Sequence, residues 1–97
     1  MEAPDEHVLD DAILALVAER GEGRTACPSE VARRLAGSDE KVWRLLMKPI
    51  RARAVALAAD GRIAIRRKGR TVDPHDFKGI YRLGTPPGVT KNWEEPT

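Results

Sequence analysis

Residues 41–61 read KVWRLLMKPIRARAVALAADG, and two periodic stripes run through them. Trp43, Leu46, Met47, Ile50, Ala54 and Leu57 recur at three- and four-residue steps. That spacing lines one face of a helix with apolar side chains, and the face must pack against something. Lys41, Arg44, Lys48 and Arg51 recur at i, i+3, i+7 and i+10. They form a basic stripe off the apolar face. Ala52, Ala56 and Ala59 lie nearby. A helix with cations and short side chains outside can approach a polyanion closely. Pro49 complicates the helix, because it lacks an N–H and its ring clashes with the preceding turn. Either the helix kinks there, or a short helix ends near Met47 and a second begins with Pro49 in its first turn. The phase between Arg44 and Arg51 depends on which occurs. The plainer reading of the stripe alone is a solvated, Arg-rich face.

The 97 residues make one domain with room for a modest core. Aromatics are few, so aliphatic side chains and alanine carry the burial. One cysteine excludes an internal disulfide, and with two histidines it argues against a zinc cluster. No metal and no cofactor are expected. Residues 1–19 hold six acids and no Lys or Arg, unlike a secretory leader. No apolar run approaches the ~20 residues of a membrane span. A cytoplasmic chain with no membrane contact is expected.

Net charge is only +2, but it is unevenly distributed. The six acids of residues 1–19 are Glu2, Asp5, Glu6, Asp10, Asp11 and Glu19, and residues 20–40 balance four against four. Residues 41–82 carry twelve bases against Asp60, Asp73 and Asp76, a net +9. A basic half beside an acidic start gives the domain one anion-seeking side. Alternatively, the acidic first helix pairs with basic neighbours inside the domain.

Before the 41–61 stretch, residues 5–19 carry an apolar stripe of Val8, Leu9, Ala12, Ile13, Leu16 and Val17, and read as a core helix. Asp5 and Glu6 suit its N-terminus, and Gly21 and Gly23 stop it. Thr25 belongs to a short strand. Pro28, Ser29 and Glu30 open a second helix that buries Val31, Ala32 and Leu35 and stops at Gly37. Cys27, just ahead of it, has no His or Asp in a motif relation and is read as a small buried residue. Ser38 or Asp39 caps the helix that follows. Residues 28–61 are therefore helix, short turn and longer helix, a helix-turn-helix arrangement.

After Asp60-Gly61, residues 62–66 alternate, with Ile63 and Ile65 on one face. Residues 80–83 alternate again, with Tyr81 and Leu83 inward. Between them, a polar loop carries Arg66, Arg67, Lys68, Arg70 and Lys78. It contains an Asp73-Pro74-His75-Asp76 turn, and Phe77 folds back on the core edge. This makes a basic β-hairpin directly after the candidate recognition helix. Residues 84–97 contain Pro86, Pro87, Gly88 and Pro96, show little periodicity, and include Trp93. They are expected to be a mostly mobile tail, in which Trp93 packs back on the domain or anchors a protein partner.

The order helix, strand, helix, turn, helix, strand, basic loop, strand is that of a winged helix-turn-helix. Several short motifs stand along the chain: Cys27-Pro28-Ser29-Glu30-Val31-Ala32, Trp43-Arg44 with Leu46-Met47, Gly61-Arg62-Ile63 with Ile65, Arg67-Lys68-Gly69-Arg70, Val72-Asp73-Pro74 and Phe77-Lys78-Gly79. Through them the chain resembles a family of small bacterial winged-helix proteins grouped as a domain of unknown function. The resemblance spans roughly residues 8–83. It implies an α+β winged-helix fold, with three helices, a small antiparallel sheet and a basic wing, over residues 5–83. It also implies DNA binding, and brings no catalytic residues.

No phosphate-binding glycine loop and no Ser-His-Asp nucleophile pattern occur, so the chain is not read as an enzyme. Nucleic-acid binding needs only cations that release counterions and an element that fits a groove. The expected DNA contacts are Lys41, Arg44, Lys48 and Arg51 on helix 41–60 in the major groove, with Arg44, Lys48 and Arg51 nearest base edges. Arg66, Arg67, Lys68 and Arg70 lie on the 66–78 wing, on the backbone or in the minor groove. A transcription-related role follows. The competing reading is a winged-helix protein-interaction adaptor without DNA binding, in which the bases only solvate. Sequence does not fix the oligomeric state; with no additional dimerisation helix, a monomer is favoured.

Overall fold

The computed structural model of the chain describes residues 5–86. The expectations for the end of the tail, Trp93 included, lie outside the described residues. The elements are α1 (Glu6–Arg20), β1 (Thr25–Ala26), α2 (Pro28–Ala36), α3 (Glu40–Trp43), a 3₁₀ turn (Arg44–Leu46), α4 (Met47–Ala59), β2 (Ala64–Arg67), β3 (Arg70–Thr71) and β4 (Arg82–Gly84). The fold is α+β: three helices of two or more turns, α1, α2 and α4, and one antiparallel sheet in the order β1-β4-β2-β3. Among the described residues, no helix is long and apolar enough to cross a membrane.

Local chemistry sets the helix ends. The Asp5 carboxylate accepts the His7 N–H at 2.7 Å and caps α1. Leu9, Ile13, Leu16 and Val17 of α1 are buried. Pro28 opens α2, and the Glu30 carboxylate accepts the Cys27 N–H at 2.9 Å. Gly37 ends α2 at φ +87°, a conformation that favours glycine. The Asp39 carboxylate accepts the Lys41 N–H at 3.0 Å and caps α3.

The continuous helix over 41–60 is not what forms. An α-helix runs only to Trp43, a 3₁₀ turn covers Arg44–Leu46, and α4 starts at Met47. The cause is Pro49, whose ring would clash with the carbonyl four residues back in an unbroken helix. With α4 starting at Met47, Pro49 sits in its first turn, where its missing N–H has no intrahelical acceptor to lose. Of the two alternatives, the break occurs rather than the kink. A 3₁₀ turn winds about 20° more per residue than an α-helix, so Lys41 and Arg44 are rotated by roughly 60° against Lys48 and Arg51. The apolar face survives this. Leu46, Ile50, Ala54 and Leu57 are buried in the core, with Trp43 and Met47 packed partly against it.

The sheet also departs from simple alternation. Ile63 and Ile65 are buried as expected, but so is Ala64 between them. Ala64 pairs with Gly84, and Arg66 lies two residues on, on the same face of β2. The Arg66 side chain runs back over Gly84; a Cβ there would lie 2.9 Å from Arg66 Nε. Its aliphatic stem covers the face that would otherwise meet water.

The expected two-stranded hairpin contains a further strand. Lys68 and Gly69, at φ +53° and +80°, make a two-residue turn from β2 into β3, pairing Arg67 with Arg70. β2 pairs on its other side with β4. The 72–81 loop joins β3 to β4. In it the Asp73 carboxylate accepts the His75 N–H at 2.9 Å, forming the capped turn. Phe77 packs partly on the core, and Tyr81 and Leu83 are buried. Burial pushes the Tyr81 hydroxyl pKa up to about 12.

Candidate nucleic-acid interface

The acids of α1 and its surroundings engage a particular set of arginines. Asp10 accepts two hydrogen bonds from Arg53, at 2.8 and 3.0 Å, and Glu6 lies 3.7 Å from the same guanidinium. Glu19 accepts two from Arg34, at 2.7 and 2.8 Å. Glu30 pairs with Arg20. The hydrogen bond from Arg34 holds the Glu19 carboxyl below its ordinary range. The Cys27 backbone N–H, then Arg20, do the same for Glu30. Internal pairing therefore accounts for Arg20, Arg34 and Arg53. Among the described residues, Arg53 is the one base of the basic half that these carboxylates neutralise.

Among the described residues, none of the eight expected DNA contacts forms an ion pair with α1. Lys41, Arg44 and Lys48 are exposed along α3, the 3₁₀ turn and the start of α4. Arg44 lies 3.9 Å from Glu40, with both side chains more than two-thirds exposed. Such a pair is screened by water and leaves the guanidinium free to exchange partners. Lys68 and Arg70 are exposed at and beside the hairpin turn.

The other three are engaged within the domain. Arg51 is half-buried, donates to the Phe77 carbonyl at 3.1 Å and lies over the Phe77 ring, 4.1 Å from its centroid. Arg67 donates its Nε–H to the Ile80 carbonyl at 2.9 Å. Arg66 lies across Gly84, and its Nε is buried with no partner among the described residues. Arg51 and Arg67 thus meet the same short segment and join α4 to the hairpin. They are brought together there, while Arg66 is drawn onto the sheet.

Sequence reasoning left Lys78 out of the contact set, although it is exposed between these two anchored carbonyls. The Phe77-Lys78-Gly79 triplet was the available signal: an aromatic to fix, a cation to present and a glycine to turn. Arg33 lies over the Trp43 ring, 5.5 Å from its centroid, and so packs α2 against α3. Arg82 donates to the Thr25 hydroxyl at 2.6 Å and ties β4 to β1.

An apolar groove of about 350 Å³ is lined by Cys27, Pro28, Met47, Gly79, Ile80 and Tyr81. The Cys27 Sγ lies 3.0 Å from Ser29 Oγ. Among the described residues, no group of His, Cys, Asp and Glu is placed to hold a metal ion.

No curated protein matches the sequence. The sequence pattern of one family, described as protein of unknown function (DUF3253), matches residues 6–86, which is most of the chain. Its span takes in α1, the broken helix, the hairpin and the anchored 77–80 segment together, and the chain belongs to that family.

Proposed function

We propose that this chain is a double-stranded-DNA-binding module of winged helix-turn-helix type, with a transcription-related role. In this reading α3, the 3₁₀ turn and α4 face the major groove. The hairpin and the loop up to Lys78 form the wing on the backbone. The observation that carries it is the division of the cations. Arg20, Arg34 and Arg53 are paired with carboxylates, whereas Lys41, Lys48, Lys68, Arg70 and Lys78 have no acidic partner among the described residues. Charge left unpaired within the fold is available to phosphate, where it releases condensed counterions.

A protein-adaptor reading is favoured by a different observation. Ile80 is 86% exposed and borders the apolar groove. Titration of a labelled random duplex at several salt concentrations separates the two. With about six phosphate contacts, log affinity falls against log salt with a slope near −5, so affinity drops about a thousandfold between 50 and 200 mM. No binding at low salt, or binding indifferent to salt, counts against the DNA reading.

A further inference from the structure

Residues 77–80 are held from two sides. From α4, Arg51 donates to the Phe77 carbonyl at 3.1 Å and lies 4.1 Å from the Phe77 ring centroid and 5.5 Å from that of Tyr81. The two rings contact each other, with centroids 5.3 Å apart and planes inclined by 59°. From β2, Arg67 donates to the Ile80 carbonyl at 2.9 Å. Between these carbonyls, Gly79 has φ +83°, and a Cβ on it would lie 3.1 Å from an Arg67 terminal nitrogen. Only glycine takes this conformation and this approach without strain. Lys78 and Gly79 are the exposed residues between the two held carbonyls.

A planar guanidinium stacked on a ring and bonded to a carbonyl is engaged on its face and along one edge. A phosphate gripped along that edge would compete with the Phe77 carbonyl for the N–H, and the 72–81 loop would lose that hydrogen bond to α4. A cation on an unfixed loop pays the ordering entropy when it binds, while one on a fixed loop does not. We propose that Arg51 and Arg67 are positioning residues that hold the 77–80 segment, and that Lys78 is the side chain this segment presents to phosphate. The proposal rests on the DNA reading for the role of Lys78, and not for the holding of the segment.

The test uses the full chain in two arms. In the free protein, Arg51→Lys and Arg67→Lys each keep the charge but lose the fork. Each raises the exchange rates of the β4 amides that follow the segment, residues 82–84, about tenfold, while the α1 core amides keep theirs. Unchanged exchange in both variants overturns the holding role. In the duplex titration, Lys78→Gln lowers affinity about eightfold at 0.1 M salt and flattens the salt slope by about 0.9, the effect of one lost counterion. Arg51→Lys lowers affinity by up to the same factor with the salt slope unchanged, and Arg51→Lys with Lys78→Gln loses no more than Lys78→Gln alone. Arg51→Lys binding like the unaltered chain, or losses that multiply in the double variant, overturns the positioning of Lys78. If the unaltered chain binds no duplex, the role of Lys78 falls with the DNA reading, and the exchange arm alone decides whether the two arginines hold the segment.

Discussion

Replacing Lys41, Arg44 and Lys48 together by glutamine lowers duplex affinity several hundredfold at 0.1 M salt and brings the salt slope from about −5.4, for six contacts, to about −2.7, for three. Each lost phosphate contact removes about 0.9 from the slope, and three contacts multiply to that loss. The three side chains are exposed, and the ion pair with Glu40 is 3.9 Å long and wet. The thermal midpoint therefore stays within the change expected of surface substitutions, roughly 0.5 kcal/mol. Fluorescence anisotropy at four or five salt concentrations measures affinity and slope together. If these bases only solvate the helix, as the adaptor reading has it, the slope does not move.

Two adjacent leucines give the largest contrast in stability. Leu46 is 1% exposed and belongs to the core, whereas Leu45 is 63% exposed. Leu46→Ala removes buried methyl groups and leaves a cavity, which destabilises by about 2–5 kcal/mol. In a domain of this size the thermal midpoint falls by at least about 10 °C. Leu45→Ala stays within roughly 0.5 kcal/mol. Urea or thermal denaturation followed by circular dichroism reads both. The contrast tests the phase of the 3₁₀ turn directly, because a shift of one residue along it exchanges the two leucines.

That turn also marks what could be read from the residues alone. The three- and four-residue spacing of Leu46, Ile50, Ala54 and Leu57 identifies the buried face, because burial imposes the same period on any helix that packs on one side. Pro49 announces an interruption, but its missing N–H is equally consistent with a kink and with a fresh start. The structure has the fresh start, at Met47. β3 escaped notice because Arg70 and Thr71 are two exposed residues with no alternation to detect. Ala64 is buried where it pairs with Gly84, and Arg66 folds over that glycine, a contact across two strands that no local pattern encodes.

The charge division was legible as composition and not as pairing. Counting places a net +9 in residues 41–82. Which bases the N-terminal acids neutralise depends on contacts such as Arg53 to Asp10, 43 residues apart. Arg51 shows the same limit. It falls on the basic stripe by spacing, yet the carbonyl it donates to, that of Phe77, lies 26 residues on, and no periodicity reports that contact. Lys78 is exposed between two carbonyls that the same kind of long-range contact holds.

The most direct measurement is a map of backbone amide shifts on titrating the isotopically labelled chain with a short random duplex at low salt. The account predicts that residues 40–48 and residues 66–80 shift together, with a common affinity, while the solvent face of α1 around Asp11 and Ala15 stays silent. Shifts confined to one of the two segments, shifts on α1, or none at all would contradict it.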